Sequence, residues 1–162
     1  MSTQDSALKN SLFIMPGAWR PHYPWEQIAW IHPPWGNDDF VWLDFPEALF
    51  CDQGLLYLSH VNHDFPATFT TLPPVSWQAA DGEITYTRRL PNDVALSGTL
   101  AVQSPQTVAL SLTIANHSVQ TLTTVRLQTC LFMRAHHLLA VQTLNNKYVH
   151  SASAGWINLT TA

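Results

Sequence analysis

Apolar and polar residues alternate with a period of two through much of the second half of the chain. Val108, Leu110, Leu112 and Ile114 interleave with Ala109, Ser111 and Thr113. Val125, Leu127, Leu131 and Met133 interleave in the same way with Thr124, Arg126, Gln128 and Cys130. Successive side chains of a strand point to opposite faces, so this spacing predicts strands with one buried face. Four are predicted, at 84–90, 94–102, 108–115 and 122–133, divided by the turn-forming stretches 91–93, 104–106 and 116–120. Strands so close together read as an antiparallel meander. Its buried face would carry Ile84, Leu90, Leu96, Leu100, Val108, Leu110, Leu112, Ile114, Val125, Leu127 and Leu131. The opposite face would carry Thr85, Thr87, Arg89, Ser97, Thr99, Ser111, Thr113, Arg126 and Gln128.

The first half is less regular. Residues 1–10 are polar and read as a disordered leader, followed by a short strand at 11–15. Residues 16–40 include Pro16, Pro21, Pro24, Pro33 and Pro34 with Trp19, Trp25, Trp30 and Trp35. Each proline removes a backbone donor, so a long ordered loop is expected here, held down by its indoles, with room for one helical turn at 25–30. A strand at 40–45 stops at Pro46, 47–51 suits a helical turn, and a second strand occupies 55–61. A loop with Pro66, Pro73 and Pro74 follows. Beyond the meander, 136–144 suits a short helix or a continuing strand, and 148–150 and 156–159 are weak strands. The expectation is an all-β chain: one antiparallel β-sandwich domain over 11–162 with a long Pro/Trp-rich N-terminal loop.

Composition narrows the classes of function. The 162 residues are 46% hydrophobic but only 11% charged, against about 25% charged in an ordinary soluble domain. Such a surface suits a neutral polar ligand or a subunit interface, so a homo-oligomer is an expected partner state. The net charge is −4 and the seven basic residues are scattered, so neither nucleic acid nor a membrane surface is an expected partner. No stretch approaches the roughly 20 apolar residues of a membrane span, and the N-terminus lacks a signal-peptide pattern. The expected location is the cytoplasm, where Cys51 and Cys130 would be free thiols packing as small hydrophobes.

The chemistry-bearing residues cluster around two loops. If 40–45 and 55–61 pair as a hairpin across 46–54, antiparallel pairing brings Asp38 and Asp39 to the same sheet edge as His60, His63 and Asp64, with Trp35 beside them. An indole stacks on a sugar ring while carboxylates accept hydroxyl hydrogens. Trp35, Asp38, Asp39, Asp64 and Arg126 are therefore the candidate ligand-binding residues, and His60, His63 and Asp39 the candidate catalytic ones. A two-carboxylate glycosidase geometry is not met by Asp39 and Asp44, which lie about 16 Å apart on one extended strand. His60 and His63 with Asp64 and an opposing aspartate offer nitrogen and oxygen donors for a divalent ion, and His136–His137 could add two more. No Gly-x-Ser-x-Gly elbow, phosphate-binding glycine loop or dinucleotide fingerprint occurs, so no cofactor is expected.

The stretch Val-Ala-Leu-Ser-Leu-Thr-Ile-Ala-Asn-His-Ser from Val108, followed by Leu-Thr-Thr-Val-Arg-Leu-Gln-Thr-Cys-Leu-Phe to Phe132, resembles the strand–turn–strand unit of galactose mutarotase-like β-sandwiches. The resemblance covers 108–133 and implies the sandwich and a carbohydrate ligand. It carries over no catalytic residue: the family's histidine position near the second strand is occupied here by Cys130-Leu131-Phe132, and no late glutamate is present. The expected function is carbohydrate-like small-molecule binding by a β-sandwich, extending to a carbohydrate-active enzyme. The alternatives are a non-catalytic structural or assembly protein and a metal-dependent enzyme with a His/Asp site.

Overall fold

The computed structural model describes residues 11–18, 25–35, 39–133, 135–137, 139–141 and 143–161. The expected leader at 1–10 lies outside them. The chain is all-β: two antiparallel sheets pack against each other as a sandwich, and a small hairpin stands apart.

One sheet is the meander that alternation predicts. Its strands are β5 (Gln78–Ala80), β6 (Glu83–Arg89), β7 (Val94–Ser104) and β8 (Thr107–Asn116), paired in chain order. Ile84, Tyr86 and Arg88 of β6 face inward with Val94, Leu96 and Leu100 of β7. Gly98 sits in that inward row because the ring of Tyr86 lies over it. A Cβ there would meet Tyr86 Cε1 at 2.3 Å.

The second sheet is built on β3 (Val41–Cys51). Along one edge it pairs first with β2 (Ile28–His32) and then with β4 (Gly54–Leu58); along the other edge it pairs with β9 (Arg126–Phe132). β1 (Phe13–Pro16) extends this sheet beyond β2. Since β2 contacts 41–44 and β4 contacts 48–51, the two lie end to end. Phe45 N–H donates to Gln27 O (2.9 Å) and Ser59 N–H to Glu47 O (2.8 Å), so the ladder continues on both sides of the junction. The inward row of this sheet, Ala29, Leu43, Phe45, Leu49 and Tyr57, meets the inward row of the meander. Leu72 and Trp77 from the loop between the sheets close the core, and Trp77 Nε1 donates to Ile28 O at 2.8 Å.

Three sequence expectations change. The segment 28–32 is a strand rather than a helical turn, because its run Ile-Ala-Trp-Ile-His contains no proline and finds a partner in β3. The segment 47–51 continues β3 instead of turning, and the hairpin turns at 52–53. The fourth meander strand leaves the meander. The chain crosses at 117–125, where Asp52 accepts from Thr123 N–H at 2.9 Å and its own N–H donates to Thr123 O at 3.0 Å. That clasp delivers β9 to the free edge of β3. Leu110, Leu127 and Leu131, expected on a buried face, are consequently 49%, 40% and 47% exposed.

After β9 the chain turns tightly, with His136 O accepting from Leu139 N–H and Ala140 N–H. A 3₁₀ turn at Leu144–Asn146 leads into the outlying hairpin of β10 (Tyr148–Ser151) and β11 (Gly155–Asn158).

Candidate functional site

The outward face of the β3–β9 pair holds a hollow of about 340 Å³ lined by Trp42, Asp44, Glu47, His60, Cys130 and Phe132. Its walls follow from register. Trp42 lies opposite Phe132, and Asp44 opposite Cys130, so one indole, one phenyl ring, one carboxylate and one thiol project from the same face. Glu47 joins them because the strand is irregular. Leu43, Phe45 and Leu49 point into the core, and strict alternation would send Glu47 after them. Between Asp44 and Ala48 the register with β9 shifts, at Pro46, which has no N–H to give to a ladder. The bulge turns Glu47 out of the inward row and into the hollow.

Each polar wall is held in place. Gln128 Nε2 donates to Glu47 Oε2 at 2.7 Å, across the ladder from β9. His60 Nδ1 stands 3.9 Å from Glu47 Oε1 and shares a hydrogen bond of 3.2 Å with Ser59 Oγ. Asp44 is buried at the floor. Below it, Trp25 Nε1 donates to Leu58 O (2.9 Å) and Tyr57 Oη to Trp25 O (3.0 Å), which locks the junction of β2 and β4. Arg88 reaches the same carbonyl from the facing sheet with Nη2 at 2.7 Å, and its Nη1 donates to Pro73 O at 2.8 Å. Burial pushes the Tyr57 phenol well above its ordinary range, and the Arg88 guanidinium beside it acts the other way.

The residues singled out from sequence are divided among several places. His60 lines the hollow. Asp39, just before β3, is hydrogen-bonded to His137 and lies beside His136. Asp39 precedes β3 at its Trp42 end, whereas His60 stands beside Glu47 near the middle of the strand, so the two are separated along β3. His63 and Asp64 lie in the exposed loop after β4, where Asn62 Oδ1 accepts from the Asp64 N–H at 2.9 Å. Trp35 is 61% exposed on the turn before β3. Arg126 is exposed at the start of β9, and Asp38 lies outside the described residues.

Sequence reasoning passed over Trp42, Asp44, Glu47 and Cys130 as members of one site. One signal was present: an aspartate within Val-Trp-Leu-Asp-Phe, a run otherwise apolar, has to be satisfied inside or to serve a ligand.

Comparison with family models, with curated proteins and with solved structures gives no match for this chain.

Proposed function

We propose that the protein binds a carbohydrate-like, polyhydroxylated small molecule in the β3–β9 hollow. The observation that carries this reading is the meeting of two carboxylates, an imidazole and two aromatic rings on the walls of one cavity of about 340 Å³. Small-molecule sites run from about 300 to 1,000 Å³ and combine an apolar lining with a few convergent polar groups. A sugar ring has an apolar face and a rim of hydroxyls. Trp42 and Phe132 offer surfaces for the first, while Asp44 and Glu47 accept hydrogens from the second. The sandwich and the resemblance of 108–133 to mutarotase-like units support the same ligand class.

In the enzymatic form of this reading His60 moves the proton. It stands between Ser59 and Glu47, and an imidazole carries one nitrogen that donates and one that accepts. Asp39, His63, Asp64, Trp35 and Arg126 are not on the walls of this hollow and take no part in the proposed binding.

A thermal-shift screen followed by calorimetry, run with neutral sugars, sugar acids and polyols, tests the reading. At least one sugar should stabilise the wild-type chain, with the response lost in Glu47→Gln and His60→Ala and kept in Asp64→Asn. A sugar response that survives both cavity substitutions, or no response across the panel, refutes it.

The exposed leucines of the two edge strands, Leu110 on β8 and Leu127 and Leu131 on β9, favour a second reading, in which these edges meet another chain as part of an assembly. Sedimentation over a range of concentrations distinguishes the two, since a chain that stays monomeric throughout has no such assembly.

A further inference from the structure

The antiparallel pairing of β3 with β9 has a second effect just beyond the Trp42–Phe132 end of the hollow. Trp42 and Phe132 are the last partners of the ladder. Continuing past them, the chain entering β3 and the chain leaving β9 run side by side, which sets Asp39 against His136 and His137. Residues almost a hundred positions apart therefore converge without any local motif.

We infer that Asp39, His136 and His137 form a binding site for a divalent transition-metal ion of the zinc type. One donor atom from each residue lies within 4.8 Å of the other two. A zinc ion held tetrahedrally at about 2.0–2.2 Å by nitrogen and oxygen keeps its ligands about 3.3–3.6 Å from one another. The widest pair thus needs to close by no more than about 1.5 Å, while the Asp39–His137 contact opens to admit the ion.

The donors are also supported locally. His136 is wholly buried, and its carbonyl is fixed in the turn by Leu139 N–H (2.9 Å) and Ala140 N–H (2.8 Å). The two imidazole rings lie nearly parallel, 9° apart in plane with centroids 5.4 Å apart. Two imidazoles and one carboxylate suit zinc, cobalt, nickel or ferrous iron; calcium and magnesium prefer all-oxygen sets. Three protein ligands leave a coordination position for water or an exogenous ligand, and the His137 side chain is exposed to solvent.

The site is tested on the full chain after treatment with a chelator and dialysis. Calorimetric titration with Zn²⁺ should show one equivalent bound. Loss of a mere hydrogen-bond partner of a ligand weakens metal sites about 10–100-fold, so Asp39→Asn and His137→Ala should each weaken binding by at least about tenfold. His60→Ala and His63→Ala should leave it unchanged. Both decisive substitutions alter side chains with solvent access, and circular dichroism checks that the fold is retained. Cobalt supplies a readout that needs no variant: a nitrogen-ligated, low-coordinate site gives strong visible absorption, unlike the hexa-aquo ion. Absence of stoichiometric Zn²⁺ binding, equal affinity in Asp39→Asn and His137→Ala, or an aquo-like cobalt spectrum would overturn the assignment.

Discussion

Arg88 is 1% exposed, and its guanidinium spans the space between the two sheets. Replacing it with methionine keeps most of the volume and removes the charge and both donors. Hydrogen bonds from a charged donor contribute about 1.5–3 kcal/mol each, and Arg88 makes two, to Pro73 O and Trp25 O. Among the described residues only one of those carbonyls keeps a side-chain donor in the variant, since Tyr57 Oη still donates to Trp25 O. The two bonds together are worth about 3–6 kcal/mol, against which relief of Arg88 desolvation returns part. A loss of about 3–4 kcal/mol follows for Arg88→Met. With a urea slope of about 1–3 kcal/mol per molar, the unfolding midpoint should fall by roughly 1–4 M at unchanged slope. Arg88→Lys should recover little, since a single ammonium cannot fork to two carbonyls. A loss below about 1 kcal/mol in Arg88→Met would refute the reasoning, and the charge would then be a burden the fold tolerates.

Three further outcomes follow from the same core. Tyr86 Oη is buried and makes no hydrogen bond among the described residues, whereas its ring packs edge-on against Trp77 at 4.9 Å. Tyr86→Phe should therefore be neutral or stabilising by up to about 1–2 kcal/mol in urea unfolding, and a clear destabilisation would reveal a partner for that hydroxyl. Gly98→Ala places a methyl 2.3 Å from Tyr86 Cε1, and Trp77 blocks the ring's retreat, so a loss of about 1–3 kcal/mol is expected. The loss should be the same in a Tyr86→Phe background, because the clash is with ring carbons. In alkali, burial holds the Tyr57 and Tyr86 phenols well above their ordinary value of 10.0. The folded state then keeps protons that the unfolded state gives up, so stability should be level below about pH 10 and decline above it. In a Tyr23→Phe, Tyr148→Phe background, which leaves only these two phenols, tyrosinate absorbance should appear only as the chain unfolds; a smooth rise in that folded variant at about pH 10 would contradict their burial.

The strands of the meander were legible because alternation reports which side chains share a face. The expected 84–90, 94–102 and 108–115 correspond to the observed Glu83–Arg89, Val94–Ser104 and Thr107–Asn116. Alternation does not report which sheet a strand joins. The pattern at 125–133 was equally clear, yet β9 pairs with β3, and what sends it there is the Asp52–Thr123 clasp between residues 71 positions apart. No local pattern encodes that contact. β2 was hidden differently. The prolines at 24 and 33 bracket a proline-free run, and counting prolines over the whole of 16–40 obscured five residues suited to a strand.

The hollow was harder to read than the strands for a reason of parity. Trp42 and Asp44 share a face under any strand register, but Glu47 belongs to the opposite row unless the strand bulges between them. Pro46 is the residue in that interval that cannot donate to a ladder, and at the sequence level it reads as a stop. β3 instead passes through it, because β4 and β9 hold the continuation from both sides while β2 and β9 hold the approach. A proline that would end a lone strand becomes, between two partners, the place where the strand bulges: residues 45–47 of β3 stand against residue 129 of β9. The two extra residues leave the parity of the strand intact, so Phe45 and Leu49 both stay in the core while Glu47 alone is diverted to Asp44 and His60 outside it. The bulge is what makes the hollow a site. Removing it while keeping the charges would leave the carboxylates on opposite faces of one sheet, and neither alone could surround a ligand.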